Sequence, residues 1–309
     1  MDPLSHCLVG AVCAKTIGAS RRRFWAMAIL GGLPDIDVLG GSLGLSAEIL
    51  QHRSATHSLV GAVALSLLFS WGLRRWDKGP SQTRFFQYLL PVVLHLFCDL
   101  LTSFGIPLLM PFNDRMFSLD LVGSVNLFPI VVMGAVLFWS FYRESVGWRA
   151  TRWAWVTWAL YLALMFTGKV YAGRIVGSCG SEMTALPTHY NPFHWRAVAV
   201  DNTRHAYCCY DVNLLMGRSI PKGLLATPNG DLPVRASLQS KLVQNFLERN
   251  RWPVVRITKE TNGFQVEWGT LMFSSLGAVR GKVIVVLGSD GKILQERRVV
   301  DFWTPENIG

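Results

Sequence analysis

Three stretches of the chain, residues 58–73, 121–142 and 153–168, contain no Asp, Glu, Lys, Arg or His, and a fourth, 85–110, is interrupted only by His95 and Asp99. These runs constrain the fold most, because a bilayer-spanning helix needs about 20 mostly apolar residues. The runs at 58–73 and 153–168 need flanking residues to reach across. Two shorter apolar segments, 4–14 and 24–33, are too short to cross alone and predict partly embedded or re-entrant helices. The expected architecture is an α-helical membrane bundle of about four full spans plus two short N-terminal helices. Composition agrees, with 16% charged residues and a mean hydropathy of +0.30, against about 25% charged in soluble proteins.

Basic residues orient this bundle. Arg74, Arg75, Lys78 and Arg84 separate the first two full spans, and Arg143, Arg149 and Arg152 separate the last two. The positive-inside rule places both loops in the cytoplasm. The chain then leaves the fourth span near Lys169 on the opposite side, the periplasm of a bacterium, although Lys169 and Arg174 argue against this direction. Arg21, Arg22 and Arg23 fit the cytoplasmic side if the two short helices form a hairpin. The formal net charge of +10 is read as attraction to anionic lipid. No basic stripe interleaved with aromatics points to nucleic acid. A basic n-region and a cleavage site are missing at the amino terminus, so Met1 onward is expected in the mature protein.

Residues 1–171 are read as the membrane-embedded helical domain and 172–309 as an extramembrane α+β or mainly β domain. In the later part, turn pairs such as Asn229-Gly230 and Asp290-Gly291 separate alternating runs at 197–200, 254–258, 263–268 and 282–287, which predict strands. A helix is expected near 237–249. None of the six cysteines forms a CxxC pair. A disulfide from Cys179 to Cys208 or Cys209 is open if this part faces an oxidising compartment.

The chemistry concentrates in the first hundred residues. His95 and Asp99, four apart inside an apolar run, share one helix face, and Thr102 joins them. An unpaired central Asp in a membrane helix costs at least about 2.5 kcal/mol, which a metal ion or a mutual hydrogen bond would offset. His52-Arg53-Ser54-Ala55-Thr56-His57 precedes the first full span. On this topology it meets His95 and Asp99 at one membrane depth. Arg53 has an anionic substrate group or a lipid headgroup as its expected partner. Asp35 and Asp37 emerge after Gly31-Gly32-Leu33-Pro34, where the glycines and Pro34 break a helix. They suit a metal ligand or a general base for water. His6 returns to the same side if the short helices form a hairpin. His6, Asp35, Asp37, His52, His57, His95 and Asp99 thus fall together, with donors of the kind that bind zinc and similar ions.

At these residues the sequence resembles the YdjM-like family of inner-membrane metal-dependent hydrolases. The matching motifs are Ser5-His6, Leu33-Pro34-Asp35-Ile36-Asp37, His52-Arg53 with Thr56-His57-Ser58, and His95-Leu96 followed by Asp99, Thr102, Gly105 and Pro111. They cover about residues 1–142, with Ser54 where the family usually has Gly. Tyr190-Asn191-Pro192, Trp195-Arg196 and Trp252-Pro253 match longer members more loosely. The motif order is also similar to zinc-dependent phospholipase C and the P1-type nucleases. That similarity implies His6, Asp35 or Asp37, His57, His95 and Asp99 as ligands of one or two zinc ions. It also implies phosphoester hydrolysis, with lipid among the substrates.

The favoured reading is a membrane-bound hydrolase acting on a lipid or small-molecule substrate, with Asp37 as the residue that orients or deprotonates water. Two others stand beside it: an ion- or proton-coupled transporter, and a metal-stabilised scaffold without turnover.

Overall fold

The computed structural model describes residues 2–36, 53, 55–123, 127–142, 147–177, 182–188, 191–228, 230–273 and 279–303. Asp37, His52 and Cys179 lie outside them. The chain divides into two compact units, Met1–Phe166 and Thr167–Gly309.

The first unit begins with helix α1 (Pro3–Thr16), capped by Asp2, whose carboxylate accepts from the Ser5 N–H at 2.9 Å and the Ser5 hydroxyl at 2.6 Å. Helix α2 (Arg21–Gly32) folds back against it as a hairpin. Two glycines set how closely the pair packs. A Cβ on Gly31 would lie 2.4 Å from the His6 carbonyl oxygen, and one on Gly10 would lie 2.5 Å from that of Met27. Gly31 is therefore inside the helix for close approach, and the helix gives way later, to a 3₁₀ turn at Leu33–Ile36. A second 3₁₀ turn, Ala55–His57, leads into α3 (Leu59–Gly72), followed by α4 (Ser81–Leu100), α5 (Leu127–Tyr142) and α6 (Gly147–Val176).

This architecture corrects the expected four-span bundle. Over the described residues, helices α3 and α5 have 14 and 16 residues, or about 21 and 24 Å at 1.5 Å per residue, short of a hydrocarbon core of about 30 Å. The run at 85–110 is not one helix: α4 ends at Leu100, and the chain turns at Gly105, whose φ is +71°. Beyond it, isolated bridges pair Thr102 with Val122 and Ile106 with Phe117. Helix α4 also buries Arg84, His95 and Asp99. Among the described residues, one helix is long and apolar enough to cross a membrane, Arg149–Val176 within α6. Absence of charge does not imply continuous helix: Gly105, Pro107 and Pro111 fall where helix has already ended.

The second unit contains two antiparallel four-stranded sheets. The first takes β1 (Glu182–Pro187), β2 (His194–Asp201), β3 (Ala206–Asn213) and β4 (Arg218–Ala226) in sequence order. The second takes β5 (Pro253–Glu260), β6 (Gly263–Thr270), β7 (Val279–Gly288) and β8 (Ile293–Trp303). Short helices α7 (Leu232–Ser237) and α8 (Lys241–Arg249) connect the sheets. Val243 and Phe246 of α8 pack on Val266, Trp268, Val283 and Val285, while Val254 and Leu271 join Leu186, Val198 and Tyr207 in the other core.

Candidate metal centre

Four short pieces of the first unit deliver the site. The first turns of α1 carry His6, the turn after α2 carries Asp35, the turn before α3 carries His57, and the end of α4 carries His95 and Asp99. The hairpin returns Asp35 to the level of His6, and the i, i+4 spacing sets His95 above Asp99. All five are buried, none more than 5% exposed.

Their donor atoms face one another. His57 Nε2 lies 3.3 Å from Asp35 Oδ1, 3.4 Å from Asp99 Oδ2 and 3.1 Å from His95 Nε2. His95 Nε2 lies 3.7 Å from Asp35 Oδ1 and 3.6 Å from Asp99 Oδ2. His6 Nε2 lies 3.4 Å from Asp99 Oδ1 and 3.9 Å from Asp35 Oδ2. Single donor atoms of His6, Asp35, His95 and Asp99 all lie within 4.8 Å of one another. Tetrahedral zinc with bonds of about 2.0–2.1 Å separates its ligand atoms by roughly 3.3 Å, so the spacing fits a cation at the centre.

The hydrogen bonding makes the same case. His95 Nδ1 donates to the Gly31 carbonyl oxygen at 2.7 Å, because a carbonyl only accepts. In the neutral ring Nε2 is then a bare lone pair, aimed at two carboxylates and the Nε2 of His57. His57 Nδ1 is occupied at 3.0 Å by the Thr56 hydroxyl. Neither ring nitrogen of His6, nor Asp35 Oδ2, makes a hydrogen bond among the described residues. Buried polar atoms without partners are costly, and a divalent cation would engage two of these, His6 Nε2 and Asp35 Oδ2.

Burial holds the His6 imidazole below its ordinary pKa and, with the adjacent His6 ring, holds that of His95 well below. Both shifts favour the neutral ring, the form that binds metal. Burial, the largest influence, acts to raise the Asp99 carboxyl, but Arg53 together with the neighbouring His57 and His6 offsets it and the group stays well below its usual range.

Arg53 sits differently from expectation. Its Nη2 donates to Asp99 Oδ1 at 2.9 Å, and its Nη1 donates to the Gly105 carbonyl oxygen at 3.0 Å and Thr102 Oγ1 at 3.2 Å. The guanidinium also lies 4.7 Å from the Phe104 ring. Arg53 is thus turned inward to hold Asp99, rather than outward toward an anionic group. Its backbone φ of 63° is a left-handed conformation costing roughly 1–2 kcal/mol for a residue with a Cβ. Thr102 works in the same layer and also donates to the Asp99 carbonyl at 2.8 Å.

The structure brings together His6, Asp35, His57, His95 and Asp99, with Arg53 beside them. Asp37 and His52 lie outside the described residues. Sequence reasoning missed the Gly31 carbonyl and Phe104, and named Thr56 only as part of a motif, without its contact to His57. The one available signal was Gly31-Gly32, which reads equally well as a helix end.

Imidazoles and carboxylates converging in a buried cluster could hold a divalent metal ion, in a chain with, among the described residues, one helix long and apolar enough to cross a membrane. The sequence profile of the YdjM inner membrane protein family matches residues 1–175, and the chain belongs to that family. Inner membrane protein YbcI of Escherichia coli (strain K12) is 32% identical over 99 residues, which is 31% of this chain and 57% of that relative. The chain thus spans little more than half the length of the curated relative it matches. Both comparisons place the protein in the inner membrane. No solved structure matches it.

Proposed function

We propose that this chain is a membrane-bound metal-dependent hydrolase acting on a phosphoester or lipid-like substrate. The observation that supports it most is the His–Asp cage, whose donor spacing and bare Nε2 lone pair on His95 suit a divalent ion, zinc foremost, in one or two copies. When bound, such an ion would act as a Lewis acid and lower the pKa of a water toward about 7.

The chain's own residues divide the remaining work. His6, Asp35, His57, His95 and Asp99 would hold the ion. The Gly31 carbonyl fixes the His95 ring and the Thr56 hydroxyl steadies that of His57, the kind of outer contact that sets ligand orientation. Arg53 would hold Asp99 in place and favour its ionised form. Asp37, two positions beyond Asp35, is the proposed acceptor of the proton from water. In the inner membrane, the positive-inside rule would leave the basic loops in the cytoplasm, and α6 would carry the residues after it to the periplasm.

The depth of burial favours a second reading, a metal-stabilised scaffold without turnover, since none of the five side chains reaches the surface to any extent. One experiment separates the two. The full chain, purified in detergent, is assayed for bound metal and for hydrolysis of phosphodiester and phospholipid substrates, alongside His95→Ala and Asp99→Ala. Metal-dependent cleavage lost in both variants supports the hydrolase. Bound metal without cleavage supports the scaffold. A metal-free chain that moves protons or ions in liposomes would return the assignment to transport.

A further inference from the structure

The end of the first unit opposite the cage has its own chemistry. Here the start of α2, the end of α3 and the start of α4 are tied together. Arg23 donates twice to the Asp77 carboxylate, each at 2.6 Å, and Arg22 donates to the Trp76 carbonyl at 2.9 Å. Arg84 donates to the Asp77 carbonyl at 2.6 Å and to Ser70 Oγ at 3.2 Å. These arginines serve the fold.

Around this knot lies a second, exposed set. Arg21, Arg74, Arg75 and Lys78 are exposed, and so are three large aromatics, Trp25 at 56%, Trp71 at 66% and Trp76 at 70%. The Arg74 guanidinium lies 4.7 Å from the Trp71 ring. Asp77 is the sole carboxylate in residues 3–34 and 53–98, and it is buried against Arg23, so within those residues the exposed basic side chains have no acidic counterpart at the surface.

Helix α6 reaches the same end. Trp155 Nε1 donates to Thr16 Oγ1 in the last turn of α1 at 2.9 Å, and the membrane-crossing segment starts just before it, at Arg149. The collar therefore lies at the level where that helix would enter the bilayer. Tryptophan settles at headgroup depth, and juxtamembrane Lys and Arg are drawn to anionic lipid.

We infer that this collar is a seat for anionic phospholipid headgroups of the leaflet at which α6 enters. It fixes the height of the first unit in the membrane, independently of whether the cage is catalytic.

The test uses the full chain in mixed micelles containing phosphatidylglycerol and phosphatidylcholine, with retained lipid counted by native mass spectrometry. The expected result is selective retention of phosphatidylglycerol. In an Arg74→Gln, Arg75→Gln, Lys78→Gln variant that keeps its helical circular dichroism, retention falls by roughly five-fold for each charge removed. Arg115→Gln, at the other end of the unit, leaves retention unchanged. Equal retention of the two lipids by the unmodified chain, or undiminished retention by the triple variant, overturns the inference.

Discussion

At the scale of single residues, the cage depends on which atoms face inward at Asp99. Its Oδ1 meets Arg53 at 2.9 Å and His6 at 3.4 Å, and its Oδ2 meets His57 and His95. Arg53 is the side chain whose removal leaves this carboxylate least supported. Breaking a buried ion pair by deleting one partner typically costs about 3–5 kcal/mol, and loss of an outer-shell partner lowers metal affinity by about 10–100-fold. Arg53→Gln is therefore expected to lower both the melting temperature in detergent and the affinity for zinc, measured by competition with a chromophoric chelator. An unchanged zinc affinity would mean that Arg53 does not position Asp99. His95→Gln removes the Nε2 lone pair while keeping a polar group of similar size, and it is expected to abolish stoichiometric metal while costing less stability than Arg53→Gln.

At the scale of elements, the cage exists because α1 and α2 pack closely enough for His6 to reach Asp35 and His95. Gly31→Ala would drive a methyl into the His6 carbonyl, and overpacking of this kind costs about 1–3 kcal/mol. It is expected to lower both thermal stability and bound metal. Gly72→Ala, at the end of α3 with nothing within 4 Å of the added carbon, should be neutral or slightly stabilising by thermal melt. A second element-level device is the Arg23–Asp77 pair. Hydrogen bonds from Arg23 hold the Asp77 carboxyl below its ordinary value of 3.8. A carboxyl with a lowered folded-state value adds stability that is fully present above the ordinary value and is lost as pH falls through the lowered one. Asp77→Asn is therefore expected to be less stable than the parent near neutral pH, with the gap in denaturant midpoint narrowing below about pH 4. A gap of constant size across that range would contradict this role.

The elements also show what the sequence made legible. Helical spacing places His95 and Asp99 on one face, and the hairpin of α1 and α2, which the sequence leaves as a condition for His6 to meet Asp35, is present. Alternation found β2, β5, β6 and β7. It missed β4, whose Pro221 and Gly223 argue against a strand but are tolerated at a sheet edge. It also missed β8, where Gln295, Glu296, Arg297 and Arg298 hide the pattern because that edge strand is largely exposed. Hydropathy overstates the spans because it reports burial from water and says nothing of where a backbone turns. The 101–123 segment is apolar in its first half yet folds as turns and bridges. The contacts that orient the ligands were not legible, since a backbone carbonyl such as that of Gly31 carries no side-chain signature.

For the whole molecule, the first unit gathers nitrogen and oxygen donors from residues 6 to 99 into one buried cluster, and such a cluster couples metal to folding. A ligand bound only by the native state raises its stability, so chelation is expected to lower the melting temperature of the parent chain and leave that of Asp99→Ala almost unmoved. The measurement that bears most directly on the central claim is the metal content of the purified full chain, by inductively coupled plasma mass spectrometry, beside His95→Ala and Asp99→Ala. The account predicts one or two equivalents of a divalent transition metal in the parent and close to none in either variant. A parent chain that stays metal-free after exposure to zinc, or variants that hold as much metal as the parent, would contradict it.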